Sequence, residues 1–153
     1  MSHLNDFITQ ATDQDALIRA LCRMNFIKEQ IKIFNQPQTI NGYHSTDNKV
    51  GHIIIRSEHT KIPSDIGWEK KQGVFVGHVD AFQYAGNSTW PQAKTVYDEI
   101  WHSKLYTYYN IEKSKMALEA RGLSYTEVID TQGRIQLRSK FTVQATSKIK
   151  VRS

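Results

Sequence analysis

The segment 90–122 constrains this chain more than any other, because it carries a helix start, a long body and a stop in order. Pro91 suits the first helical position, where its missing amide has no intrahelical partner, and Ser88 or Thr89 can cap the free donors there. Gly122 supplies the stop, since glycine readily takes the left-handed backbone on which helices commonly end. A continuous helix over 91–121 would be about 46 Å long at ~1.5 Å per residue, longer than most small domains. A bend is therefore expected at 106–110, where Thr107 and Asn110 are weak helix formers. Val96, Tyr97, Ile100 and Trp101 are read as facing a sheet in the first half, with Trp101 as the core anchor, and Met116 and Leu118 in the second.

After Gly122, residues 124–129 and 134–139 read as two short strands joined by a hairpin turn at Asp130, Thr131, Gln132 and Gly133. Gly133 closes that turn, where a left-handed backbone is commonly needed. Near the start, Thr12 stands three residues before Asp15 in the capping-box arrangement. Leu17, Ala20, Leu21 and Met24 then recur at helical spacing, giving a first amphipathic helix over 13–24. Ile27, Ile31 and Ile33 alternate with Lys28, Gln30 and Lys32 at the period of a half-buried strand, which Pro37 is expected to end. Residues 50–55, 63–68 and 73–79 read as further short strands of an antiparallel meander. The fold class is α+β, with a mainly antiparallel sheet packed against two helices and a C-terminal β-hairpin.

A chain of 153 residues is the usual size for one domain with its own core. We divide it into a single α+β domain over 1–141 and a basic C-terminal tail over 142–153, expected to be poorly anchored. No run approaches the roughly 18 apolar residues of a membrane span. Met1 to Asp6 show neither a basic leader nor an apolar signal core, so the protein is expected to stay where it is made. Cys22 is the only cysteine, which rules out an internal disulfide and a multi-thiolate metal site and fits a reducing compartment. On the first helix it reads as a small, partly buried packing residue rather than a nucleophile.

The net charge of +5 is uneven, because no acidic residue follows Asp130. Arg134, Arg138, Lys140, Lys148, Lys150 and Arg152 give that stretch +6 and leave the first 130 residues at −1. Such asymmetry attracts phosphate backbones or acidic protein surfaces, although charge runs are also common as solvated filler.

Several short motifs, taken in order, resemble a known family. Met1-Ser2-His3, the capped first helix, Gly42-Tyr43, Asp65-Ile66-Gly67-Trp68, the strand ending in Val79-Asp80, Tyr106 with Tyr108, Gly122 and Gly133-Arg134-Ile135-Gln136-Leu137 are together similar to the hypothetical chloroplast reading frame 35 family. The likeness covers most of residues 1–141, while 35–48 and the tail from Thr142 have no counterpart. That family, found in plastids, cyanobacteria and some other bacteria or their phages, has no established activity. The resemblance implies an architecture and a location in the plastid stroma or a bacterial cytoplasm, without a mechanism.

The chemistry-bearing residues divide between sharp and bland readings. His78 and Asp80 fall on one side of a strand, and His52 on a neighbouring run is a candidate third ligand, but the same spacing describes polar residues on any solvent face. Residues 73–77 begin and end with glycine without opening a helix, as dinucleotide binding would require. Catalytic, cofactor and metal residues are therefore assigned as none. The aromatic stretch holding Trp101, His102, Tyr106, Tyr108 and Tyr109 reads mainly as core, yet Tyr108 and Tyr109 cannot share one helix face. The expected function is a non-enzymatic interaction or assembly protein with a protein partner, its surface drawn from Tyr106, Tyr109, Arg134, Arg138, Lys140, Lys148, Lys150 and Arg152. The alternative is a nucleic-acid-binding module that uses the basic hairpin and tail, with Phe141 or a tyrosine stacking on bases. A metal-dependent hydrolase ranks third.

Overall fold

The computed structural model describes residues 5–8, 11–42, 48–79, 97–139 and 150–152. Its elements run β1 (Asn5–Ile8), α1 (Gln14–Arg23), a 3-10 turn (Lys28–Gln30), β2 (Lys32–Thr39), β3 (Val50–Ile55), α2 (Ser57–Thr60), β4 (Ile66–Lys71) and β5 (Val74–Val79). There follow α3 (Glu99–Ala120), β6 (Tyr125–Ile129), β7 (Ile135–Ser139) and β8 (Lys150–Arg152). The fold is α+β. One sheet has the order β1-β5-β4-β3-β2 and a second the order β6-β7-β8, with antiparallel pairing throughout.

Side-chain oxygens start both long helices. Asp13, not Thr12, caps α1, its carboxylate accepting the Ala16 amide at 3.0 Å. Asp98 caps α3 by accepting the Trp101 amide at 2.9 Å. Tyr97 and Asp98 lie in a turn and bend, so no single helix runs from Pro91 to Arg121. Pro91, the proposed Ser88 or Thr89 cap and Val96 are outside the described residues. With 22 residues α3 spans about 33 Å. That length needs no bend, and the helix continues unbroken through 106–110, where the Thr107 hydroxyl donates to the Ser103 carbonyl.

Both helices stop the same way. In α1 the Phe26 amide reaches the Leu21 carbonyl and the Asn25 amide the Cys22 carbonyl, with Asn25 left-handed at φ 74. In α3 the Leu123 and Gly122 amides reach the Leu118 and Glu119 carbonyls, both at 3.0 Å, with Gly122 at φ 70. This paired return of amides satisfies carbonyls that the helix end would otherwise leave bare. Leu123 and Leu118 belong to one apolar cluster, the contact that usually accompanies such a stop.

Pleating sorts the large sheet into two faces. Ile53, Ile55, Ile66, Trp68, Phe75 and Val79 face α1 and α3 and share a core with Leu17, Leu21, Leu105 and Tyr109. Ile54 and Ile40 form a smaller cluster with Phe34. Ile40 lies so close over Gly67 that a β-carbon there would meet its Cγ1 at 2.6 Å. Gly77 similarly leaves room for the Trp68 and His102 rings.

The alternation of isoleucines at 27–33 makes a strand only from Lys32 onward. The Gln30 side chain accepts the Ile27 amide at 3.1 Å and holds a 3-10 turn before it, leaving Ile27 exposed. Pro37 does not end β2. That strand is an edge whose register with β3 shifts between Ile33 and Gln38, so the missing amide of proline interrupts no regular ladder.

The rotation of α3 also departs from expectation. His102, Leu105 and Tyr109 are buried at helical spacing, which turns Ile100 outward to 79% exposure. Trp101 is only partly buried at the margin of the core, and of the two described tryptophans Trp68, at 0% exposure, is the buried one. Tyr97, as expected, is in the core, its hydroxyl donating to the Thr60 carbonyl at 2.8 Å.

Candidate functional site

The C-terminal sheet has two chemically different sides. Its inner side lies on the second half of α3, where Leu137 packs with Ile111 and Leu118 and is flanked by Tyr108, Tyr125 and Ile135. Around that apolar seam runs a charged network. Arg19 binds Glu112 at 2.9 Å and Glu119 at 3.0 Å, and Arg23 binds Glu112 at 3.0 Å and Glu127 at 2.8 Å. Lys115 joins Glu112 at 3.2 Å and Glu127 at 2.7 Å. Arg23 also covers the Tyr108 ring at 4.6 Å, a cation–π contact. The network thus ties α1, α3 and β6 together.

Three cations balance three carboxylates here, and the electrostatics follow. The Arg19 guanidinium, helped by the Tyr125 hydroxyl, holds Glu119 down to about 2. Arg23 does the same for Glu127, also to about 2, against the opposing effect of burial. Burial alone would raise Glu112, but hydrogen bonds from Arg23, Lys115 and Arg19 overcome it and keep the carboxyl below its ordinary range.

The outer side is basic. The register sets Lys150 opposite Arg138 and Arg152 opposite Gln136, so these four positions share one side of the sheet with 126 and 128. Those six positions hold Thr126, Val128, Gln136, Arg138, Lys150 and Arg152, three cations and no carboxylate. Arg138 is exposed, with its Nη2 3.4 Å from Gln136 Oε1. Arg134 is spent differently: its Nε donates to Asp130 at 2.8 Å, while its backbone amide closes the turn on the same carboxylate.

Of the residues that the sequence suggests as an interaction surface, the fold brings Arg138, Lys150 and Arg152 to one side. Tyr109 does not join them. It is 2% exposed, and its hydroxyl accepts the Thr12 and Asp13 amides, both at 3.0 Å. Tyr106 is half-buried and stacks on Tyr109, with ring centroids 6.0 Å apart. Lys140, Phe141 and Lys148 are outside the described residues, but of the expected loose tail Lys150–Arg152 forms β8 against β7.

The other sequence candidates are placed as follows. His78 is buried, with Nε2 3.0 Å from Glu69 Oε1, a partner the sequence reading missed. His52 accepts the Lys70 amide on Nδ1, and Asp80 is outside the described residues. Among the described residues no three histidine, cysteine or acidic side chains are grouped to hold a metal. His102 is packed against Trp68 and Trp101, and burial pulls its imidazole down to about 3, so it stays neutral. Cys22 is exposed rather than partly buried, and partial desolvation pushes its thiol up, which leaves it unactivated. Among the described residues no helix is long and apolar enough to cross a membrane.

The charged network was legible only at Glu112 and Lys115, three residues apart on one helix. Arg19 and Arg23 meet their partners across about a hundred residues of chain, a separation that leaves no local signal. No family model, curated protein or solved structure matches the chain.

Proposed function

We propose that this is a non-enzymatic interaction or assembly protein that receives an anionic macromolecule on the outer side of its C-terminal sheet. The observation that carries the reading is the register of β7 and β8, which sets Lys150 directly across from Arg138 with Arg152 two residues further along. Like charges directly opposite each other destabilise a sheet, and the described cross-strand positions on that side hold no carboxylate. A bound anion removes the repulsion. The inner network supports the same reading, because it holds the basic sheet on a fixed support of two helices. On the family resemblance, the compartment we propose is the plastid stroma or a bacterial cytoplasm.

Retention on immobilised heparin, used as an anionic probe, tests this. The triple variant Arg138→Glu, Lys150→Glu and Arg152→Glu should elute at much lower salt than the unaltered protein. A control with the same charge change elsewhere, Lys28→Glu, Lys32→Glu and Lys113→Glu, should elute later than that triple variant. Equal elution of the two variants would place the anionic contact outside this sheet.

A further inference from the structure

We infer that the anionic partner is the phosphate backbone of a nucleic-acid duplex, an inference that rests on the reading of the outer sheet side as the docking surface. The composition of that side favours it. Protein–protein interfaces are depleted of charge at their centre and enriched in aromatic residues, methionine and arginine, whereas nucleic-acid interfaces are polar and strongly positive throughout. Here the described outer positions hold Arg138, Lys150, Arg152, Gln136, Thr126 and Val128, with no aromatic residue and no methionine.

The same composition selects duplex over single strand. Proteins that bind single strands without sequence preference combine a basic groove with aromatic rings on which bases stack. The described tyrosines of α3 and β6 are used elsewhere: Tyr125 donates to Glu119, Tyr108 lies beneath Arg23, Tyr109 holds the start of α1 and Tyr106 stacks on Tyr109. A duplex hides its bases and presents phosphates, which need only cations and hydroxyl or amide donors. Positions two apart on a strand are separated by about 6.8 Å, so positions 150 and 152 are spaced to meet successive anionic groups, with position 138 beside them. Binding of this kind positions the duplex and does not read its sequence.

Fluorescence anisotropy with DNA and RNA duplexes, the corresponding single strands and polyglutamate, each over a salt series, tests the inference. The duplexes should bind more tightly than the single strands and polyglutamate. The log–log salt slope should be about −0.9 for each phosphate contact on a DNA duplex, so that three contacts give a slope near −2.7. Changing Arg138 to Gln should make the slope shallower by about 0.9 while a melting curve shows the fold intact, and this single change keeps the test valid should a triple variant fail to fold. Tighter binding to single strands, or to polyglutamate, would overturn the duplex inference and leave the anionic surface standing. No binding to any of these polyanions would overturn both.

Discussion

The Tyr109 hydroxyl sits 3.0 Å from the Asp13 backbone amide, on the residue whose own carboxylate caps α1. One oxygen in the middle of α3 thereby accepts two amides, those of Thr12 and Asp13, at the N-cap of the other long helix and the residue before it. Tyr109→Phe keeps the ring and removes the acceptor. The expected loss is about 1–3 kcal/mol, since two partly buried donors lose their partner, and chemical denaturation measures it. An unchanged midpoint would show that water replaces the hydroxyl.

The carboxylates that clamp the C-terminal sheet set an acid limit. Glu119 and Glu127 have folded values of about 2 against 4.5 for the free side chain, and Glu112 is also lowered. Groups whose folded value is depressed contribute stability that is fully present above the unfolded value and is lost as pH falls through the folded one. Stability from this network should therefore be constant above about pH 5 and decline between roughly pH 4.5 and 2. Denaturation midpoints across that range should show the decline, and Glu127→Gln should flatten it.

Trp68 and Trp101 should differ in their cost of truncation. Trp68 is fully buried and Trp101 only partly, with ring centroids 6.5 Å apart. Trp68→Ala should cost about 3–5 kcal/mol and Trp101→Ala clearly less, as measured by urea titration of each variant. The reverse order would mean that the margin of the core carries more of the stability than its centre.

Gly133 isolates backbone strain from packing, because it has φ +79 and a β-carbon there would have nothing within 4 Å. Gly133→Val should destabilise the hairpin by roughly 1–2 kcal/mol through the left-handed penalty alone. Gly133→Asn should be better tolerated, since asparagine visits that region. Equal melting temperatures for the two variants would show that the turn relaxes to another conformation.

The sequence by itself determined the local signals of this protein: the stop at Gly122, the hairpin over 130–133 and the runs of β3 and β5, whereas the strand expected over 63–68 is β4 at Ile66–Lys71, three residues further on. Each depends on chemistry within a few residues, such as the left-handed glycine or the Asp130 carboxylate that accepts the Gln132 and Arg134 amides. The α+β class follows from the order of those signals. Tertiary structure decided the rest. Which face of α3 is buried is decided by its packing into the core shared by the large sheet and α1, which takes Tyr109 inward and leaves Ile100 outward. Pro37 stays in a strand because that strand is an edge with an irregular ladder. The basic side exists because β8 pairs with β7 across residues 140–149, a long-range register that no short window contains. Pairing partners and burial are set by the whole packed chain, whereas turns and caps are set by their neighbours.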